Sequence, residues 1–154
     1  MNPQRRNTIR AASGLGILGL LGAAGLVLPG AALAGMRKAF DAGNLAEALQ
    51  ALGVSKTLPG DGIRITAPEV AENGAAVPLG VSSSLAGVER IALLVEKNVN
   101  PLVASFVLPE GTEAVIQTRV KMNQTSNVIA LVKAGGAYYL AVREVQVIVG
   151  GCGG

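Results

Sequence analysis

A chain of 154 residues with a formal net charge of +3, no histidine, one cysteine and 3% aromatic residues is restricted in the chemistry it can carry. Without histidine and with a single thiol it lacks the ligand sets of ordinary transition-metal sites and every histidine-dependent nucleophile, and its ten acids are too scattered for a carboxylate-only Ca²⁺ or Mg²⁺ site. Nucleic-acid binding needs a basic footprint or an aromatic stacking platform, and neither is present.

The chain opens with Arg5, Arg6 and Arg10, followed by an uncharged apolar run over residues 11–33 and an Ala32-Leu33-Ala34 cleavage pattern. That is the layout of an export signal. A membrane-spanning helix is the competing reading, but Gly14, Gly16, Gly19, Gly22, Gly25, Pro29 and Gly30 weaken a helix interior. Arg5-Arg6 with Ile9 and Arg10 resembles the twin-arginine export motif, with Thr8 in the place of its usual phenylalanine. Leu33-Ala34-Gly35 would begin a lipoprotein box, but Met36 stands where the lipidated cysteine would be, so no membrane anchor is expected. The leader holds three of the thirteen cations and none of the ten acids, which leaves the remainder formally neutral. These features predict a cleaved leader over residues 1–34 and a periplasmic mature protein.

In residues 35–61 a short helix is expected, capped by Asn44 with Glu47 at the third helical position, carrying Leu45, Ala48, Leu49 and Leu52 on one face and ended by Gly53. From Asp61-Gly62 onward, alternation and β-branched residues replace helical spacing. Strands are predicted over residues 63–67, 76–83, 89–96, 102–108, 114–122, 127–133 and 137–149. Turn signals separate them at Asn73-Gly74, Ala86-Gly87, Asn98 to Pro101, Pro109-Glu110-Gly111 and Gly135-Gly136. The fold class is all-β: an immunoglobulin-like antiparallel β-sandwich of about seven strands over residues 62–149. In residues 114–122 one face carries Ala114, Ile116, Thr118, Val120 and Met122, and the wetter face carries Val115, Gln117, Arg119 and Lys121. Leu140 and Val142 fall on the opposite parity to Val145, Val147 and Val149, which predicts a β-bulge near Arg143-Glu144. Tyr138 and Tyr139 are read as packing residues.

Residues 150–154 are Gly150, Gly151, Cys152, Gly153 and Gly154, so four residues without Cβ atoms surround the only sulfur. This composition predicts a flexible arm. Measured from Val149, three extended residues give Cys152 a reach of about 10 Å. Its sequence neighbours supply no cation or base, and at an ordinary pKa of about 8.5 roughly 3% of the thiol is thiolate at pH 7. Activation has to come from a partner, which is the physical difference between a carrier and an enzyme. The competing reading is a structural adaptor joined to a partner subunit by an intermolecular disulfide through Cys152. A free-standing thiol oxidoreductase is a third, and it lacks a resolving cysteine.

The terminal Gly-Gly-Cys-Gly-Gly resembles the tail of the Y subunit of the Sox sulfur-oxidation carrier. Internal segments also resemble that family: Pro68 through Gly74 followed by Val77-Pro78-Leu79, Lys97-Asn98 with Asn100 through Ala104, and Thr118-Arg119-Val120-Lys121. The resemblance implies a non-enzymatic subunit without cofactors that pairs with a smaller Z subunit and holds thiosulfate-derived groups on Cys152. It also implies three clients. A c-type cytochrome enzyme would join thiosulfate to Cys152 as an S-thiosulfonate, a dimanganese hydrolase would release sulfate and leave a persulfide, and in some systems a molybdenum and haem dehydrogenase would oxidise the remaining sulfur.

Overall fold

The computed structural model describes residues 29–150. The expectations placed on Arg5, Arg6, Gly151, Cys152, Gly153 and Gly154 lie outside the described residues. The chain divides into two units, Met1–Ala34 and Gly35–Gly154. In the first, only the start of a helix is described; the second holds the core.

Among the described residues two helices come first: α1, Pro29–Asp41, and α2, Leu45–Ala51. The sequence reading missed α1, because it set residues 1–34 aside and placed the first helix after Asn44. Ala39 is buried on its inward side, and Ala42, just past its end, is buried as well. The second helix begins as expected, with Asn44 Oδ1 accepting from the Glu47 amide at 2.9 Å. Glu47 reaches one residue farther back than a reciprocal capping box, accepting from the Gly43 amide at 3.2 Å. At its other end Gly53 has φ +76°, and the amides of Gly53 and Val54 bond back to Gln50 and Leu49. That is a Schellman ending, and the left-handed residue is the expected glycine.

Nine strands follow: β1 Leu58–Pro59, β2 Ile63–Thr66, β3 Val70–Asn73, β4 Val77–Ser83, β5 Val88–Val95, β6 Leu102–Val107, β7 Val115–Val120, β8 Ser126–Ala134 and β9 Ala137–Val149. The seven predicted strands are all present, with small shifts at their ends. The two additional ones, β1 and β3, run parallel to β9. They are two and four residues long, too short to show a period in sequence, and they exist because β9 offers them a free backbone edge.

One sheet runs β1-β9-β8-β5-β6, with β3 added along the end of β9, and a smaller antiparallel sheet runs β2-β4-β7. Their facing sides form the main core. Ile91, Leu93, Val95, Val128, Ala130, Val132 and Val145 of the large sheet meet Ile65, Val77, Leu79, Val81, Val120 and Met122. Full burial of each large aliphatic side chain contributes roughly 1.5–3 kcal/mol before chain entropy is subtracted. The opposite face of the large sheet is also covered. Ala92, Leu94, Leu102, Ile129 and Leu131 pack against Ala39 and Ala48 of the two helices and Ala42 of the connection between them.

That third layer corrects the predicted bulge at Arg143-Glu144. The β8–β9 ladder is regular from Ser126↔Val145 to Ala134↔Ala137, with no register shift. The parity change arises because β9 is packed on both sides: Tyr138 and Leu140 face the helices, while Ala141, Val145 and Val147 face the sandwich core. Register shifts occur instead in β5, between Leu93 and Leu94 opposite β6 and between Val88 and Arg90 opposite β8. Elsewhere the faces follow the prediction, with Ala114, Val120 and Met122 buried and Val115, Gln117, Arg119 and Lys121 exposed. Gly135 (φ +55°) and Gly136 (φ +77°) form the two-residue turn joining β8 to β9.

Candidate functional site

The site is built from the end of β9 outward. As far as Val145 that strand is bonded to β8. Beyond it β8 has ended, and two other elements take over. On one side β3 continues the ladder, with Val70↔Gln146, Ala71↔Val147 and Asn73↔Val149. On the other, Thr125 Oγ1 accepts from the Val147 amide at 2.9 Å, a side chain standing in for the missing strand.

Residues 121–125 therefore form a wall beside the end of β9, and Asn98 fixes that wall in place. Its Nδ2 donates to the Lys121 carbonyl at 2.7 Å, and its Oδ1 accepts from the Asn123 amide at 3.1 Å. A third tie runs from the Met122 amide to the carbonyl of buried Gly74 at 2.7 Å. Gly74 is held by the turn in which Asn73 Oδ1 accepts from the Ala75 amide at 2.8 Å. Each bond is worth about 1 kcal/mol net, and together they make one connected support from three chain segments.

Gly150 lies directly against this wall. A Cβ added there would collide with the carbonyl oxygen of Asn123. The sequence assigns Gly150 to the arm for its freedom, whereas the structure gives it a steric task at the surface of the body. Cys152 follows two residues later, so covalent geometry allows its Cα a reach of about 7 Å from Gly150.

The electrostatic setting is cationic. Lys121 lies on the wall two residues before Asn123, Lys97 directly precedes Asn98, and both are exposed. Neither forms an ion pair among the described residues, whereas Glu96, next to Lys97, accepts from Asn127 Nδ2 at 2.9 Å. The ion pair that is present, Lys133 Nζ to Glu89 Oε2 at 2.7 Å, sits at the opposite end of β8. There the Lys133 hydrogen bond, helped by the Gly136 amide, holds the Glu89 carboxyl below its ordinary range. Among the described residues no three His, Cys, Asp or Glu side chains come together.

An open concavity of about 890 Å³ crosses the outer face of the small sheet, lined among others by Pro68, Pro78, Gly80, Gln117 and Arg119. Its lining offers the hydroxyls of Thr66, Ser82 and Thr118 but no carboxylate to act as their base. No described helix is long and apolar enough to cross a membrane.

Sequence reasoning singles out Cys152, which lies outside the described residues, and does not single out the contacts around Gly150. Asn98, Asn123 and Thr125 are surface polar residues whose importance lies in pairings 22–25 positions apart. A partial signal existed: the segments Pro68 through Gly74, Lys97-Asn98 and Thr118 through Lys121 were each distinctive, and the structure brings all three to the end of β9.

The fold defines the class: a small β-sandwich whose last strand ends three residues before the chain's one cysteine. The pattern of the family described as Sulfur oxidation protein SoxY matches residues 48–152, ending on Cys152, and the chain belongs to that family. Its structure is similar to that of the sulfur carrier protein SoxY from Chlorobium limicola f thiosulfatophilum, at 40% identity and a TM-score of 0.64. The similarity covers 71% of this chain and 96% of that one. A second structure, titled for T cell specificity and activation by the superantigen toxic shock syndrome toxin-1, gives 12% identity and a TM-score of 0.40. It covers 56% of this chain and 99% of that one, and is too distant to carry an argument. No curated protein matches the chain.

Proposed function

We propose that this protein is a periplasmic carrier that holds thiosulfate-derived sulfur covalently on Cys152 and presents it to separate enzymes. The observation that carries the reading is the family match running through the arm to Cys152, joined to a body that anchors the chain up to Gly150.

Loading makes one S–S bond between the Cys152 thiolate and the terminal sulfur of thiosulfate, giving Cys–S–S–SO₃⁻ and releasing two electrons to a c-type cytochrome client. Hydrolysis by a dimanganese client then breaks the S–SO₃ bond with water, yielding sulfate, two protons and a persulfide. A molybdenum and haem dehydrogenase acts on that persulfide where one is present. The carrier's own part is attachment and reach. A Z-type subunit completes the working heterodimer. Arg5 and Arg6 direct export by the twin-arginine route, and the leader is removed near Ala34.

The test is to incubate mature protein with its loading cytochrome and thiosulfate and to follow the intact mass. Wild type should gain one S₂O₃ unit at Cys152, and Cys152→Ser should gain nothing. An unmodified wild type under conditions where the cytochrome is reduced by thiosulfate would overturn the proposal.

A further inference from the structure

The carrier function accounts for Cys152 and its glycines but leaves Lys97 and Lys121 unused. These two exposed cations come from different loops and are brought together by a single residue: Asn98, adjacent to Lys97, bonds both the Lys121 carbonyl and the Asn123 amide. Asn123 is the residue whose carbonyl confines Gly150. Gly150 and the backbone positions that carry the two lysines therefore share one support.

We propose that Lys97 and Lys121 form a docking site on the carrier's own surface for the oxyanion end of an adduct on Cys152. The ligand class is a sulfonate-type anion, and its source is the loaded C-terminal segment of the same chain. The inference deepens the carrier reading and rests on it.

Reach and charge both favour this occupant. The Cys152 Cα lies within about 7 Å of Gly150, and the Lys121 Cα about 7 Å from that of Asn123, each being two residues away. Each S–S bond of the adduct adds about 2 Å, and the lysine stems are long enough to close the remaining gap. The free thiol is mostly neutral at pH 7, but Cys–S–S–SO₃⁻ carries a full negative charge, so loading itself creates the attraction. An exposed sulfonate beside two ammonium groups gains a modest, salt-sensitive energy. That suits a contact a client must be able to break. The nearby acids do not cancel the site: Glu96 is turned to Asn127, and Glu72 is one carboxylate against two cations.

The adduct can be made without any partner enzyme. Thiolate attack on tetrathionate at a central sulfur forms Cys–S–S–SO₃⁻ and expels thiosulfate, so charge and atoms balance with tetrathionate as oxidant. With loading verified by mass, two readouts test the docking. Backbone amide resonances of Lys97, Asn98, Lys121 and Asn123 should move in the loaded protein and stay unmoved when Cys152 carries a neutral carbamidomethyl group. Cleavage of the adduct by an uncharged phosphine should be about fivefold faster in Lys97→Gln/Lys121→Gln than in wild type at low salt, and this difference should vanish at high salt. Lys97→Arg/Lys121→Arg should behave as wild type. Equal cleavage rates in the Gln and wild-type proteins, or the same amide shifts with the neutral group, overturn the proposal. Because tetrathionate needs no cytochrome, a protein that passes here but is not loaded by its client loses the carrier reading alone.

Discussion

The carbonyl oxygen of Asn123 occupies the space into which a side chain on residue 150 would project, so Gly150 is the only residue type that lets β9 end where it does. The end of β9 is thus constrained by packing as well as by composition.

Gly150→Ala should accordingly act on the body as well as the arm. The methyl group must displace either the 121–125 wall or the last turn of the β3–β9 ladder, a cost of about 1–3 kcal/mol by analogy with other overpacked sites. Thermal unfolding should show the loss, and hydrogen exchange should quicken at Val147 and Met122. Gly151→Val, one residue farther on, should leave the melting temperature unchanged and slow loading of Cys152 by the cytochrome, because a β-branched side chain stiffens and thickens the arm. Equal melting temperatures for wild type and Gly150→Ala would show that the wall yields freely.

Much of this was legible in sequence because it rests on local chemistry. The Asn44 cap, the Gly53 ending, the Gly135-Gly136 turn and the two faces of β7 all follow from residue type and spacing over a few positions. What was illegible depends on pairing at a distance. β3 has only Ala71 buried in four residues, and it is a strand because the edge of β9 opposite β8 is free to pair over Gln146 to Val149. The second covered face of β9 looked like a phase error, since nothing near Leu140 announces helices packed above it. The role of Asn98, which bonds to residues 23 and 25 positions away, was not legible either.

The Glu89–Lys133 pair gives a pH dependence whose sign can be worked out. Glu89 is held below its ordinary value by the Lys133 hydrogen bond first and the Gly136 amide second, so its ionised form is favoured in the folded state. Its contribution is therefore complete above the unfolded carboxylate's value of about 4.3 and disappears as pH falls through the lower folded value. Glu89→Gln should melt slightly below wild type at neutral pH and converge with it in acid. Because the pair is solvent-exposed, the neutral-pH difference should also shrink with added salt. A gap that widens on acidification would contradict the assignment.

Two packing substitutions separate the layers. Met122 is fully buried between the sheets, and Met122→Ala should cost about 2–5 kcal/mol in denaturant unfolding. Tyr138 joins the sheet to the helical layer through its hydroxyl, which donates to the Leu52 carbonyl at 3.0 Å. Tyr138→Phe keeps the ring and loses that bond, so it should cost about 1 kcal/mol and leave loading of Cys152 unaffected.

Asn98 offers the sharpest test of whether the arm's support matters to function, because its amide uses a donor and an acceptor at once. Asn98→Asp keeps an oxygen for the Asn123 amide but replaces the donor to the Lys121 carbonyl with a second oxygen, turning an attraction into a repulsion. Asn98→Ala removes both bonds without adding the repulsion. The alanine variant should lose about 1–2 kcal/mol for its two partly exposed bonds, and the aspartate variant at least as much. Hydrogen exchange should place the loss in residues 121–125 and at Val147, leaving β5 and the β8 core protected. Tetrathionate should still load Cys152 in both variants, since neither substitution alters the thiol or the reagent. If the support aims the arm at its clients, enzymatic loading should slow in both while chemical loading does not. Unchanged enzymatic loading, with the local loosening confirmed, would show that the arm finds its clients without guidance from its base.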